Sequence, residues 1–178
     1  MRRARINFCR ALFEQRIDLL VGLAERAYGE PDPWQGLVSF MERSAEMMAT
    51  DKGLRQILMF AAEGHDRGIC ARDRMRPAIE SLIERAQADG QVRADLRPTD
   101  VPMIEFMVAA AAEYAWQVRP TVWRRYLALI LDALRPASAS GRPLPEPELS
   151  PDEMAEVMQS NPLSRRRASP RATTITMN

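Results

Sequence analysis

Apolar residues recur at three- and four-residue steps along most of the chain up to Pro136, the period of helices with one buried face. Phe13, Ile17, Leu20, Ala24 and Ala27 make the first stripe, with Glu14, Arg16, Asp18, Glu25 and Arg26 on other faces. Gly29 offers a left-handed helix stop, with Pro31 after it. Asp32-Pro33-Trp34 then reads as an N-cap, a first-turn proline and a first core residue. The second stripe is Trp34, Leu37, Val38, Met41, Ala45 and Met48. Thr50 or Asp51 is placed to cap a short helix carrying Leu54, Ile57, Leu58 and Ala61. Gly64 and Gly68 bracket His65, Asp66 and Arg67, so Glu63 to Cys70 is expected to be a loop. A helix is expected to resume near Ala71, with Met75, Ile79, Leu82, Ile83 and Ala86 as its stripe. Pro77 predicts a kink there or a later start, and Gly90 an end.

Thr99 is the expected cap of the next helix, with Asp100 favourable against its dipole. From Val101 to Val118 the chain is apolar on nearly every face, interrupted only by Glu105, Glu113 and Gln117. Such a helix needs cover on all sides, which a second chain would complete. Thr121 is expected to cap the last helix, whose stripe is Trp123, Leu127, Ile130, Leu131 and Leu134. Tyr126 and Leu129 widen its apolar surface, and Pro136 stops it. The fold class is therefore all-α, a bundle of about six helices over residues 1–136. Ala137 to Ser150 is rich in Pro, Ser and Gly, and residues 137–178 are expected to be a disordered Pro/Ser/Arg-rich tail. Within it, Ser150-Pro151-Asp152-Glu153 could start a short helix through Met158.

A chain of 178 residues can bury a core without staples. Its net charge of +1 gives no global field to recruit nucleic acid or an anionic membrane. Lys52 is the one lysine among 25 basic residues, an arginine bias that GC-rich codons explain. Cys9 and Cys70 make no disulfide framework. The basic start, Met1 to Arg5, is followed by no uninterrupted apolar stretch, and no window suits a membrane span. A cytoplasmic location is expected.

Catalytic and metal chemistry find little to work with. His65, Asp66 and Cys70 are close in sequence, but His65 is the sole histidine and no CxxC accompanies it. Cys70 or Cys9 with His65 lacks an orienting partner and an oxyanion loop. Asp152 and Glu153 are adjacent in the tail, without pre-organisation. No enzyme, metal or cofactor is expected. Arg165-Arg166-Arg167 could touch phosphates without sequence preference. Methionine is plentiful, at 11 residues, and flexible thioethers suit either core packing or an adaptable apolar pocket.

Four strings carry a resemblance. They are Leu12-Phe13-Glu14-Gln15-Arg16, Pro33-Trp34-Gln35-Gly36-Leu37, the junction from Gln87 to Asp100 (QADGQVRADLRPTD), and Trp123 to Arg135 (WRRYLALILDALR). In this order, with these helices between them, the chain resembles the C-terminal domain of TetR-family transcriptional regulators over Ala11 to Pro136, most closely the SbtR-like subgroup. The resemblance implies an effector-binding bundle that dimerises through its last two helices. It implies a pocket between the helices starting near Trp34, Ala71 and Asp100, for which Phe40, Met41, Ser44, Met48, Met75, Ile79, Met107 and Ala111 are the candidates. The dimer candidates are Ala112, Ala115, Trp116, Trp123, Tyr126, Leu127, Ile130 and Leu134. The expected partners are a second copy and a small hydrophobic effector. The family's DNA-binding headpiece precedes a string like Ala11-Leu12-Phe13, and only ten residues do so here. A truncated regulator or a misassigned start is expected, with DNA reached only through a missing headpiece or a full-length partner. Translating the DNA upstream of Met1 separates the two. The competing reading is a helical protein-interaction module without a small-molecule ligand.

Overall fold

Helices follow one another with no strand in the computed structural model, which describes residues 2–51, 65–136 and 144–160, with side chains over 14–51, 74–136 and 144–157. They are α1 (Arg2–Tyr28), α2 (Pro33–Thr50), α3 (His65–Ala88), α4 (Asp100–Tyr114), α5 (Trp123–Ala133) and α6 (Pro151–Ser160). The all-α expectation holds. The expected short helix over Leu54 to Ala61, the candidate metal cluster and the arginine run lie outside the described side chains.

The stripes read from the sequence form the core. Ala24, Ala27, Trp34, Leu37, Met41, Ala45, Ile79, Leu82, Ile83 and Ala86 are buried together, and α4 and α5 add Val101, Ile104, Val108, Ala112, Trp123, Leu127, Leu131 and Leu134. α2 is the central element, packed on α1, α3, α4 and α5. Its start follows from Asp32, whose carboxylate accepts from the amides of Trp34 (2.9 Å) and Gln35 (3.3 Å), with Pro33 in the first turn.

Several expected punctuations differ. Gly29 does not take a left-handed turn, since Gly90 is the one described residue with positive φ. The end of α1 is closed from outside instead: the Arg85 guanidinium donates to the carbonyls of Tyr28 and, at 3.2 Å, Pro31. The segment expected as a loop is helical from His65, because an isolated glycine such as Gly68 costs a helix only about 1 kcal/mol. Thr99 does not cap α4 with its side chain. Its backbone is already helical (φ −74°, ψ −19°), so its hydroxyl cannot reach forward, and the Asp100 carboxylate accepts from the Arg97 amide at 2.8 Å instead. Thr121 likewise does not cap α5 through its side chain; its carbonyl accepts from the Arg124 amide at 3.2 Å. The over-apolar helix stops at Tyr114, and turns carry the chain through Val118.

The junction from α3 to α4 is a built loop. Gly90 (φ +69°) completes a Schellman end, with Gly90 N–H on the Gln87 carbonyl (2.9 Å) and Gln91 N–H on that of Ala86 (3.0 Å). Val92 and Leu96 anchor it in the core. The Gln87 side-chain amide donates to the carbonyls of Arg93 and Leu96, both at 3.0 Å, and the Arg93 amide donates to the Leu134 carbonyl at 3.0 Å. Gln87→Ala is expected to cost about 1 kcal/mol, read as a lower urea midpoint, because it removes two part-buried hydrogen bonds. An unchanged midpoint would show that water replaces the amide without loss.

The tail is not disordered throughout, a correction to the composition-based expectation. Residues 144–160 are described, and α6 packs on α3 with Met154 fully buried. Ser150 and Glu153 form a reciprocal capping box: the Ser150 amide donates to the Glu153 carboxylate (2.8 Å), and the Glu153 amide to the Ser150 hydroxyl (3.2 Å). Arg97 pairs with Glu148 at 3.6 Å. One well-filled apolar contact and a cap outweigh the poor overall composition of the segment.

Candidate functional site

The residues named for an effector site are distributed unevenly. Phe40, Met41, Ser44, Met48 and Ile79 are buried, and Met75 packs half-buried against the core. Ala111 is half-buried, while Met107 is 55% exposed, turned away from the bundle. The structure thus gathers the α2 residues with Ile79 and separates Met107 from them. Met107 lies off the stripe of Ile104, Val108 and Ala112 that α4 buries.

At Ser44 the sequence reading was incomplete. The Ser44 hydroxyl lies against the carboxyl of Glu105 on α4, and is also within 2.9 Å of the Phe40 carbonyl and 3.2 Å of the Met41 carbonyl. A hydroxyl has one proton to give, and carbonyls only accept. When that proton goes to Phe40, Ser44 can only accept from Glu105, which must then be protonated. Burial pushes the Glu105 carboxyl up to about 7, and the Ser44 hydrogen bond opposes this only in part. No ionic neighbour contributes. The carboxyl end lies deep between α2 and α4, although the residue as a whole keeps some solvent-accessible surface. One turn further along both helices, Met48 packs with Ala109, flanked by Met47 and Phe106. α2 and α4 therefore run in the same direction past each other, and the polar pair ends in an apolar seam. Glu105 was missed as an interruption of an apolar run. Its register, one step from Val101 and Val108 on the buried side, was the available signal.

The dimer candidates also divide. Ala112, Trp123, Leu127 and Leu134 are buried within one copy of the bundle and present no surface to a partner, a correction with a simple cause: they are the core stripe of their helices. Ala115 and Ile130 are half-buried. Trp116 and Tyr126 are exposed, at 41% and 47%. With them stand Tyr114 (96%), Val118 (91%) and Leu129 (54%), an unusual set of large apolar groups to leave in water. Arg124 lies on the α2 side of α5, reaching Glu46 of α2 at 2.5 Å and lying 4.7 Å from the Trp123 ring. Tyr126 and Leu129 fall on the opposite stripe, away from α2.

Among the described residues no group of three potential ligands could hold a metal ion, and no helix is long and apolar enough to cross a membrane. A family model described as the C-terminal domain of SbtR-like transcriptional regulators matches residues 32–136. No curated protein matches the chain.

Proposed function

The chain belongs to the SbtR-like C-terminal-domain family of TetR-type transcriptional regulators, and on that premise we propose that it is a sensing module, which binds a small, mainly apolar effector and pairs with a second copy of itself. The observation that carries the pairing is the far face of α4 and α5. Tyr114, Val118, Tyr126 and Leu129, on α4, the turns after it and α5, are each close to half exposed or more. Aromatic groups of this kind are the usual anchors of protein interfaces. Two helices from each copy would close a four-helix bundle over them. Effector binding is supported by family membership and by the one polar pair, Ser44 and Glu105, set into an apolar seam between α2 and α4.

The pairing is tested by sedimentation equilibrium on the wild type and Leu129→Arg. Leu129 is 54% exposed, so the substitution leaves the core alone. The wild type is expected to be a dimer at micromolar concentration, and Leu129→Arg to dissociate at least tenfold more readily with an unchanged helical spectrum. A wild-type monomer defeats the pairing. Effector binding is tested by a thermal-shift screen against apolar small molecules, since a ligand bound to the folded state raises its melting temperature by mass action. A screen with no shift favours a protein-interaction module without a small ligand.

A further inference from the structure

Glu105 is a carboxyl set on the buried side of α4, between Val101 and Val108, each 1% exposed or less. The chain has 25 basic residues, yet among the described residues its one hydrogen-bond partner is the Ser44 hydroxyl. A carboxylate has room for about four hydrogen bonds, and Ser44 supplies at most one. Packing gives no reason for the charge: a leucine or glutamine would fill the same space without the cost of burying an ionisable group. What an unpaired carboxyl in an apolar seam can do is receive a cation from outside. Ionisable groups kept in such surroundings are candidates for function on this ground. The neighbouring surface, Met48 and Ala109 with Met47 and Phe106, is apolar and two-thioether, able to adapt to an aromatic or aliphatic body.

We propose that Glu105 is the polar anchor of the effector site and selects an effector carrying a protonated amine on an apolar body. In the free protein the Ser44 hydroxyl donates to the Glu105 carboxyl, whose other acceptor positions are unfilled among the described residues. When the ammonium enters it donates to the carboxylate, and any proton the carboxyl still holds leaves to solvent. The ammonium balances the carboxylate, so the occupied seam holds no unpaired charge. This inference rests on the effector-binding reading above, and its test separates the two.

The test is calorimetric titration of the full chain and of Glu105→Gln at pH 7.5 with a matched pair of probes, 1-naphthylmethylamine and 1-naphthalenemethanol. They share a ring and differ in the charged group. The wild type is expected to bind the amine at least 30-fold more tightly than the alcohol, the scale of a buried charge pair. Glu105→Gln is expected to lose that preference, binding the two probes within threefold of each other, with a melting curve showing it folded. If the alcohol binds and the amine has no advantage, or if the advantage survives in Glu105→Gln, the anchor is overturned while effector binding stands. If neither probe binds and the apolar screen gives no shift, effector binding falls and the anchor with it.

Discussion

Gly36→Ala is expected to destabilise the protein by about 3 kcal/mol, a drop of about 10 °C in melting temperature for a chain of this size. A Cβ on Gly36 would lie 2.4 Å from the carbonyl oxygen of Ala27 and 3.3 Å from its carbon. Both are backbone atoms at the end of α1, so no side chain can swing aside. The two helices would have to part at the place where Ala27, Trp34 and Leu37 are packed together. Gly22 supplies the contrast. A Cβ there meets only the end of the Arg26 side chain, at 3.4 Å. Gly22→Ala therefore gains the helix-interior preference for alanine and is expected to stabilise by about 0.5–1 kcal/mol. Urea unfolding of both variants is the measurement. A Gly36→Ala midpoint within error of wild type would mean that α1 and α2 are not held this closely.

The contrast between these glycines shows what the sequence can and cannot reveal. Periodicity identified the α1 and α2 stripes because helix register is a local property, readable from spacing alone. It gave the start of α2 because Asp32 acts on amides two and three residues away. It failed at the end of α1, where the carbonyls of Tyr28 and Pro31 are taken by Arg85, more than fifty residues further on. Thr99 and Asp100 are a subtler case. Both can cap, and only the helical backbone at Thr99 decides that Asp100 turns back while the Thr99 hydroxyl is left buried without a partner among the described residues. In the last helix, residue type alone made Trp123 and Tyr126 equivalent anchors. Their stripes differ: Trp123 shares one with Leu127, Leu131 and Leu134 and is buried, while Tyr126 does not and is exposed. The candidate site was legible on one side only. Ser44 was named from its position on α2, but its meaning comes from Glu105, which joins it across 61 residues of sequence.

Burial of the Glu105 carboxyl makes stability depend on pH in a direction opposite to the common one for carboxylates. Glu105 is held up to about 7 in the folded protein, against 4.5 for an ordinary glutamate. The folded state therefore holds a proton that the unfolded chain has released over this range. Stability is full below about pH 4.5, falls as pH rises toward 7, and is flat above it as far as this group is concerned. Each tenfold change in protonation is worth about 1.4 kcal/mol. Relaxation and water penetration around a buried ionised carboxylate reduce this, so the expected loss is about 2 kcal/mol rather than the full shift. Glu105→Gln isolates the effect. Its amide oxygen can accept from the Ser44 hydroxyl as the carboxyl does, and it does not titrate. At pH 5 the variant and wild type should unfold at the same urea concentration, within about 0.5 kcal/mol. At pH 8.5 the variant should be the more stable by about 2 kcal/mol. Other groups that titrate between these values act on both proteins and cancel in the difference. A constant offset between the two at both pH values would show that Glu105 is already ionised at pH 5.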